Sequence, residues 1–154
     1  MAIVVDTNVW VVAAGGHAEA GPGCVERCAN RIFALETTET LAVDSRHRIL
    51  GEYYDRLPVN SAQVLLLNRL LQTGRYDPRP CDWEPAAPGV AVVPDVLRLL
   101  DPNDRKFAAV ALTYDPPAPI LNACDPGWAM CRDACEAAGL AVDEFCPELV
   151  TQAS

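Results

Sequence analysis

Five acidic residues stand where their chemistry could be pooled. Asp6 directly follows the apolar run Ala2-Ile3-Val4-Val5, Asp44 follows a β-rich run at residues 40–43, and Asp125 follows an apolar run at residues 119–123. Asp104 and Glu52 fall within helical patterns. Carboxylates are hard oxygen donors suited to Mg²⁺ or Mn²⁺. Gathered in one pocket they repel, at about 4 kcal/mol for each close pair when the effective dielectric is about 20, and a divalent cation reverses that sign. In open α/β sheets ligands collect outside the carboxyl ends of the strands. The expectation is therefore a divalent-metal site led by Asp6.

Each acid also has a plainer reading. Asp6 can cap the helix that begins near Asn8, and Asp44 with Ser45 reads more as a helix cap than as a ligand. Asp125 can be a turn residue before Pro126-Gly127. Asp104 has the strongest independent case. With Asp101 as cap and Pro102 in the first turn, Asp104 shares a helix face with Phe107, Ala108 and Ala111. An acid on such a face costs free energy unless it is paired or metal-bound. Its alternative is a first-turn acid complementing the helix dipole. Glu52 borders the stripe Ile49, Leu50, Tyr53 and Leu57. His17 and His47 read as surface residues.

The elements that must position these acids alternate. Strands are expected at residues 2–5, 40–43, 90–93, 119–123 and 140–145. Helices are expected at 9–14, 24–35, 46–57, 61–74, 101–113 and 127–138. Residues 76–89 are rich in proline and read as a surface connection. This alternation predicts one α/β domain over residues 1–154, with a parallel sheet between helices.

Bulk properties narrow the function. A net charge of −9 argues against gripping nucleic acid by a general basic field, yet leaves room for an enzyme that meets phosphate through metal ions. Arginine supplies eleven of the twelve basic residues, and Lys106 is the one lysine. No run of eighteen apolar residues exists to span a membrane. The start of the chain reaches Asp6 too soon for a signal peptide, and seven cysteines is an odd count. The expectation is a cytoplasmic protein with reduced thiols. Cys24/Cys28 and Cys131/Cys135 are both C-x3-C pairs, so four thiolates could meet zinc. The stronger reading is that cysteines four apart on an amphipathic helix share its buried face.

In order and spacing these segments resemble PIN-domain nucleases. Ile3-Val4-Val5-Asp6-Thr7-Asn8-Val9 resembles the family's opening motif, and Leu50-Gly51-Glu52-Tyr53 its second. Asp101-Pro102-Asn103-Asp104-Arg105-Lys106-Phe107-Ala108 resembles the third, and Ile120-Leu121-Asn122-Ala123-Cys124-Asp125-Pro126-Gly127-Trp128 the fourth. The match departs at the end. Asn122 stands in the region where the family usually has Thr or Ser, and Gly127 where a further acid is common.

The resemblance implies a three-layer α/β/α sandwich with a mostly parallel sheet of four to five strands. It implies Mg²⁺- or Mn²⁺-dependent hydrolysis of phosphodiester bonds in single-stranded RNA. Many members are VapC-like toxins of bacterial type II toxin–antitoxin pairs and form homodimers, so an antitoxin partner and a homodimer are expected. Asp6, Glu52, Asp104 and Asp125 become the catalytic and metal-holding residues. Asn8 and Asn122 become supporting groups, Asn8 through a water on the metal. Arg46, Arg48, Arg105 and Lys106, each near an expected ligand in sequence, are candidates for phosphate contact, and each also reads as solvated surface charge.

Three other readings stay open. One is a PIN-like interaction module without turnover. Another is a different metal-dependent phosphohydrolase or a receiver-type phospho-acceptor, against which the lack of a lysine after a late strand counts. The third is a zinc-stapled binding module. The helix at 61–74 carries apolar residues on more than one face and is the expected homodimer contact.

Overall fold

The apolar run at the start of the chain forms the central strand, because it has no polar side chain to turn toward water. In a computed structural model describing residues 1–152, β1 (Ala2–Val5) lies in a five-stranded sheet with β2 (Thr40–Asp44), β3 (Tyr76–Arg79), β6 (Ile120–Asn122) and β7 (Val142–Glu144). The order is β3-β2-β1-β6-β7 and every pairing is parallel. Helices flank the sheet, giving the three-layer α/β/α sandwich. They are α1 (Thr7–Ala13), α2 (Pro22–Phe33), α3 (Arg48–Arg56), α4 (Ala62–Gln72), α5 (Arg105–Ala111), α6 (Pro126–Met130), α7 (Arg132–Ala137) and α8 (Pro147–Gln152). Ile3, Val4, Val5, Leu41, Val43, Ile120 and Leu121 are fully buried, so the sheet is apolar on both faces, as a covered parallel sheet must be.

Winding runs outward from β1 to β2 and β3, then returns to the far side of β1 with β6 and β7. The direction reverses between β1 and β6, and the carboxyl ends of those two strands open a crevice there. Residues 153 and 154 of the expected domain lie outside the described residues.

Several expected boundaries are corrected. Residues 76–89 are not a bare connection. β3 pairs in parallel with β2 from Leu41↔Tyr76 to Asp44↔Arg79, while β4 (Trp83–Glu84) and β5 (Ala87–Ala91) form a small antiparallel ribbon. Pro78 hid the edge strand, because proline is tolerated only where one side of the ladder needs no N–H donor. The strand expected at 90–93 is the end of β5. The helix expected over 127–138 is two helices, α6 and α7, meeting at Cys131.

Asp44 is the cap its spacing suggests. It is fully buried, and its two carboxylate oxygens accept from the backbone N–H of Arg48 at 3.0 Å and of Ile49 at 2.8 Å. His47, at φ 60°, makes the turn between strand and helix. Tyr53, fully buried on α3, donates its hydroxyl to the Val5 carbonyl, so the carboxyl end of β1 is clamped to α3.

Cys24 and Cys146 form a disulfide across 122 residues, with Cα atoms 5.5 Å apart. The expectation of seven free thiols is thus corrected. The topology brings the first turn of α2 against the segment entering α8, a proximity that cysteine spacing does not reveal. The two C-x3-C pairs do not converge, since the one cysteine group among the described residues close enough to hold an ion is Cys24, Cys28 and Cys146.

On α4, Val64, Leu66, Leu67 and Leu70 are core residues, leaving Leu65 as its large exposed apolar side chain. No helix among the described residues is long and apolar enough to cross a membrane.

Replacing Asp44 by Ala leaves two helix-terminal N–H groups without their buried acceptor. The expected cost is about 2–3 kcal/mol. Urea denaturation should show a lower midpoint with an unchanged slope. A midpoint equal to that of the unsubstituted protein would remove Asp44 from this role.

Candidate metal centre

The crevice between β1 and β6 holds a cleft of about 530 Å³ lined by Asp6, Thr7, Asn8, Glu52, Arg56, Asp101, Asn103, Asp104, Phe107, Asp125, Pro126, Gly127 and Met130. Five of these are acids. One oxygen from each of Asp6, Asp104 and Asp125 can be chosen so that all three lie within 4.8 Å of one another. Glu52 lines the same cleft outside that tight group.

Asp6 is the residue after β1 and the N-cap of α1, with Asn8 N–H 3.4 Å from one carboxylate oxygen. Its other oxygen accepts from the buried Trp128 indole N–H at 2.7 Å. Asp125 is the N-cap of α6 and accepts from Gly127 N–H at 2.8 Å. Asp6 and Asp125 thus cap helices and also stand in the acidic group, because a cap uses one lone pair of a carboxylate and leaves others.

Asp104 reaches the cluster by a different route from the expected one. α5 begins at Arg105, so Asp104 precedes the helix, at its N-cap position, and makes no side-chain capping bond. Asp101 instead accepts from Asn103 N–H at 2.9 Å and closes the turn before it. Asp104 is thus left uncapped beside two other acids.

Electrostatics record the crowding. Burial, then the charge of Asp125 and more weakly that of Glu52, push the Asp6 carboxyl up to about 6, against the lowering pull of Trp128 and Asn8. Burial, the charges of Asp6 and Asp125 and a hydrogen bond with Asp125 push Asp104 up to about 8. Without a cation the cluster holds a proton near neutral pH, and that proton belongs to the group of acids jointly. The donor set is all hard oxygen, convergent and short of positive charge, so it fits a divalent ion such as Mg²⁺ or Mn²⁺.

The supporting residues have their own tasks. Thr7 donates its hydroxyl to Glu52, and Lys106 approaches the other Glu52 oxygen at 3.5 Å, so Glu52 is fixed against the wall. Asn8 donates to the Asn122 side chain at 2.8 Å and accepts from Ala123 N–H at 2.8 Å. Asn122 donates to the Asp125 carbonyl at 2.8 Å and to Glu144 at 2.6 Å. These two asparagines lock α1 to the loop carrying Asp125. That is a positional task, and Asn8 also lines the cleft.

None of the four expected phosphate contacts lines the cleft. Arg46 lies 5.8 Å from the Trp83 ring centroid. Arg105 is spent on the carbonyls of Leu100 and Arg98, and the buried Lys106 also donates to the Asn103 carbonyl. Arg48 caps nothing in the cleft and contributes its backbone N–H to Asp44. Arg56 is the cation among the lining residues, exposed at the last turn of α3. Its signal in the sequence was its place four residues after Glu52, one turn along the same helix face. Trp128 was likewise missed as the partner of Asp6. Gly127 leaves room, and a Cβ there would meet Asp125 Oδ1 at 3.1 Å and Asp104 Oδ2 at 3.7 Å.

No family model, no curated protein and no solved structure matches this chain.

The raised acids carry a sign for stability. A carboxyl whose folded-state pKa exceeds its unfolded value binds more protons when folded, so stability falls as pH rises through that window. For Asp6 the window runs from 3.8 to about 6, and for Asp104 from 3.8 to about 8. The Tm of metal-free protein should fall from pH 4 to pH 8 by several degrees, at about 2–4 °C per kcal/mol. Mn²⁺ should restore it at pH 8 and do little at pH 4. Asp104→Asn should flatten both responses. A metal-free Tm that climbs steadily to pH 8 would contradict the crowded cluster.

Proposed function

We propose that the cleft is the active site of a divalent-metal-dependent endoribonuclease of the PIN type, hydrolysing phosphodiester bonds in single-stranded RNA. The observation that carries the reading is the meeting of Asp6, Asp104 and Asp125 within 4.8 Å at the crevice where the sheet winding reverses. The preference for single-stranded RNA, and a role as the toxin of a toxin–antitoxin pair, rest on the motif resemblance. The cleft itself supports metal-assisted phosphodiester chemistry.

Asp6, Asp104 and Asp125 would hold Mg²⁺ or Mn²⁺, with Glu52 at the wall beside them. When bound, the ion lowers the pKa of an attacking water and offsets charge gathering on the phosphate. The chain supplies the rest. Trp128 holds one Asp6 oxygen at 2.7 Å, while the other meets the Asn8 N–H only at 3.4 Å and keeps lone-pair capacity for an ion. Thr7 and Lys106 hold Glu52 so that its carboxylate does not swing into the crowded trio. Arg56, the one basic residue of the lining, offers a guanidinium fork to a backbone phosphate. An acidic chain with a cationic rim residue would depend on the bound ion for most of its attraction to RNA.

The test uses purified protein, a pool of single-stranded RNA, and Mn²⁺ or EDTA. Cleavage is expected with Mn²⁺, none with EDTA, and at least about a hundredfold loss in Asp6→Asn, the scale of removing a group that stabilises transition-state charge. Arg56→Ala should raise KM more than it lowers kcat. Equal cleavage by Asp6→Asn would sink the nuclease reading.

A homodimer is proposed on the exposed face of α4, where Leu65 is 54% exposed and Val59, at 84%, lies just before the helix. Light scattering should give twice the chain mass, falling to the single-chain mass for Leu65→Glu. A single-chain mass at all concentrations overturns the dimer and leaves the active site untouched.

A further inference from the structure

The chain holds a second cluster with no part in the acidic cleft. Cys24, Cys28 and Cys146 are all buried, and their three sulfur atoms lie within 4.8 Å of one another. Cys24 and Cys28 are one turn apart on the inward face of α2, and Cys146 arrives from the far end of the chain, ahead of α8. Cys24 and Cys146 are joined as a disulfide, and Cys28 is left as a free thiol against them. A disulfide needs two cysteines and gains nothing from a third. Three converging sulfurs in one buried corner are a soft-metal donor set.

We propose that the reduced chain binds one Zn²⁺ through Cys24, Cys28 and Cys146, and that the Cys24–Cys146 disulfide is the oxidised, metal-free form of this site. Tetrahedral zinc with Zn–S bonds of about 2.3 Å places its sulfurs about 3.8 Å apart, so the bonded sulfurs of Cys24 and Cys146 must part to that spacing on reduction, with Cys28 already within 4.8 Å of both. Cys24, Cys28 and Cys146 make up the whole cysteine group among the described residues, so the fourth position of the ion would fall to a water. Opening the disulfide takes two electrons and two protons. Two equivalents of a low-molecular-weight thiol supply them and leave as their own disulfide. Each cysteine then gives up a proton to solvent as its sulfur binds the ion.

The alternative use of the third cysteine is thiol–disulfide exchange, with Cys28 attacking the bridge. Burial pushes the Cys28 thiol up to about 11, so the attacking thiolate is scarce at neutral pH. A zinc ion must displace that same proton, so acidity alone does not separate the two uses and the metal titration does. The site would fasten the start of α2 to the entry of α8, where Arg27 already reaches the Phe145 carbonyl at 2.8 Å and Glu148 at 2.7 Å.

The test uses the full chain, reduced by a phosphine and freed of metal under anaerobic conditions, then titrated with Co²⁺ and Zn²⁺. Reduced protein is expected to bind one Co²⁺ with thiolate-to-metal charge-transfer absorption, and one equivalent of Zn²⁺ should abolish that band. Zinc X-ray absorption should show at least three sulfur neighbours. Asp6→Asn should leave these signals unchanged, which separates this site from the acidic cleft. Cys28→Ser should weaken binding by at least about tenfold, and the oxidised protein should show no band. Reduced, folded protein without charge-transfer absorption, or zinc surrounded by oxygen and nitrogen alone, would overturn the proposal. The absorption spectrum of the unsubstituted protein decides the matter even where Cys28→Ser does not fold.

Discussion

Three carboxyl groups cannot share one sheltered corner without a proton or a cation to keep them there. Asp6, Asp104 and Asp125 are in that position, and the surrounding structure is arranged to tolerate it. Trp128 donates to Asp6, Gly127 N–H donates to Asp125, and the lone lysine is used on Glu52 instead of the trio. The cluster therefore stays short of positive charge. A chain that needed only a stable fold could have placed Lys106 among these acids, and it does not.

The strand order is what makes the crowding possible. β1 and β6 are neighbours although more than a hundred residues separate them, and the Asn8–Asn122 pair sits at their carboxyl ends. Asn8 reaches across to Ala123 N–H, and Asn122 reaches on to the Asp125 carbonyl and to Glu144 on β7. One polar chain thus ties the start of α1, the loop after β6 and the edge strand together. Such a network carries no chemistry of its own. It fixes the distance between Asp6 and Asp125, on which any shared ion would depend.

Much of this was legible before the structure, for physical reasons that differ by element. β1 is a continuous apolar run, as a strand buried on both faces favours, and β6 is apolar up to the hydrogen-bonded Asn122 at its end. Asp6 and Asp125 end those runs, so their location followed from strand ends alone. Asp44 could be read as a cap because a cap is a local event. Asp104 stands beside the other acids from the N-cap position and not from a helix face, since the Asp101-Pro102-Asn103 turn delays the helix by several residues. β3 was hidden by Pro78, which is acceptable only at an edge, and sequence does not say which strand is an edge. Arg56, Trp128 and the Cys24–Cys146 pairing depend on which surfaces meet after folding. No local pattern records that.

The two clusters divide the molecule by ligand chemistry. The acidic cleft offers oxygen alone at the carboxyl edge of the sheet, while the cysteine corner offers sulfur alone beside α2 and α8. Hard and soft donors kept apart in this way would select different ions by ligand type rather than by overall affinity. Cys124 stands between them in sequence, next to Asp125, and the charges of Asp6 and Asp125 add to the burial that raises its thiol. A conformational change at Cys124 would therefore reach the loop that carries Asp125. The Asn8–Asn122 lock stands against such a movement, since Asn8 also lies 3.4 Å from the Cys124 N–H and holds that backbone in place.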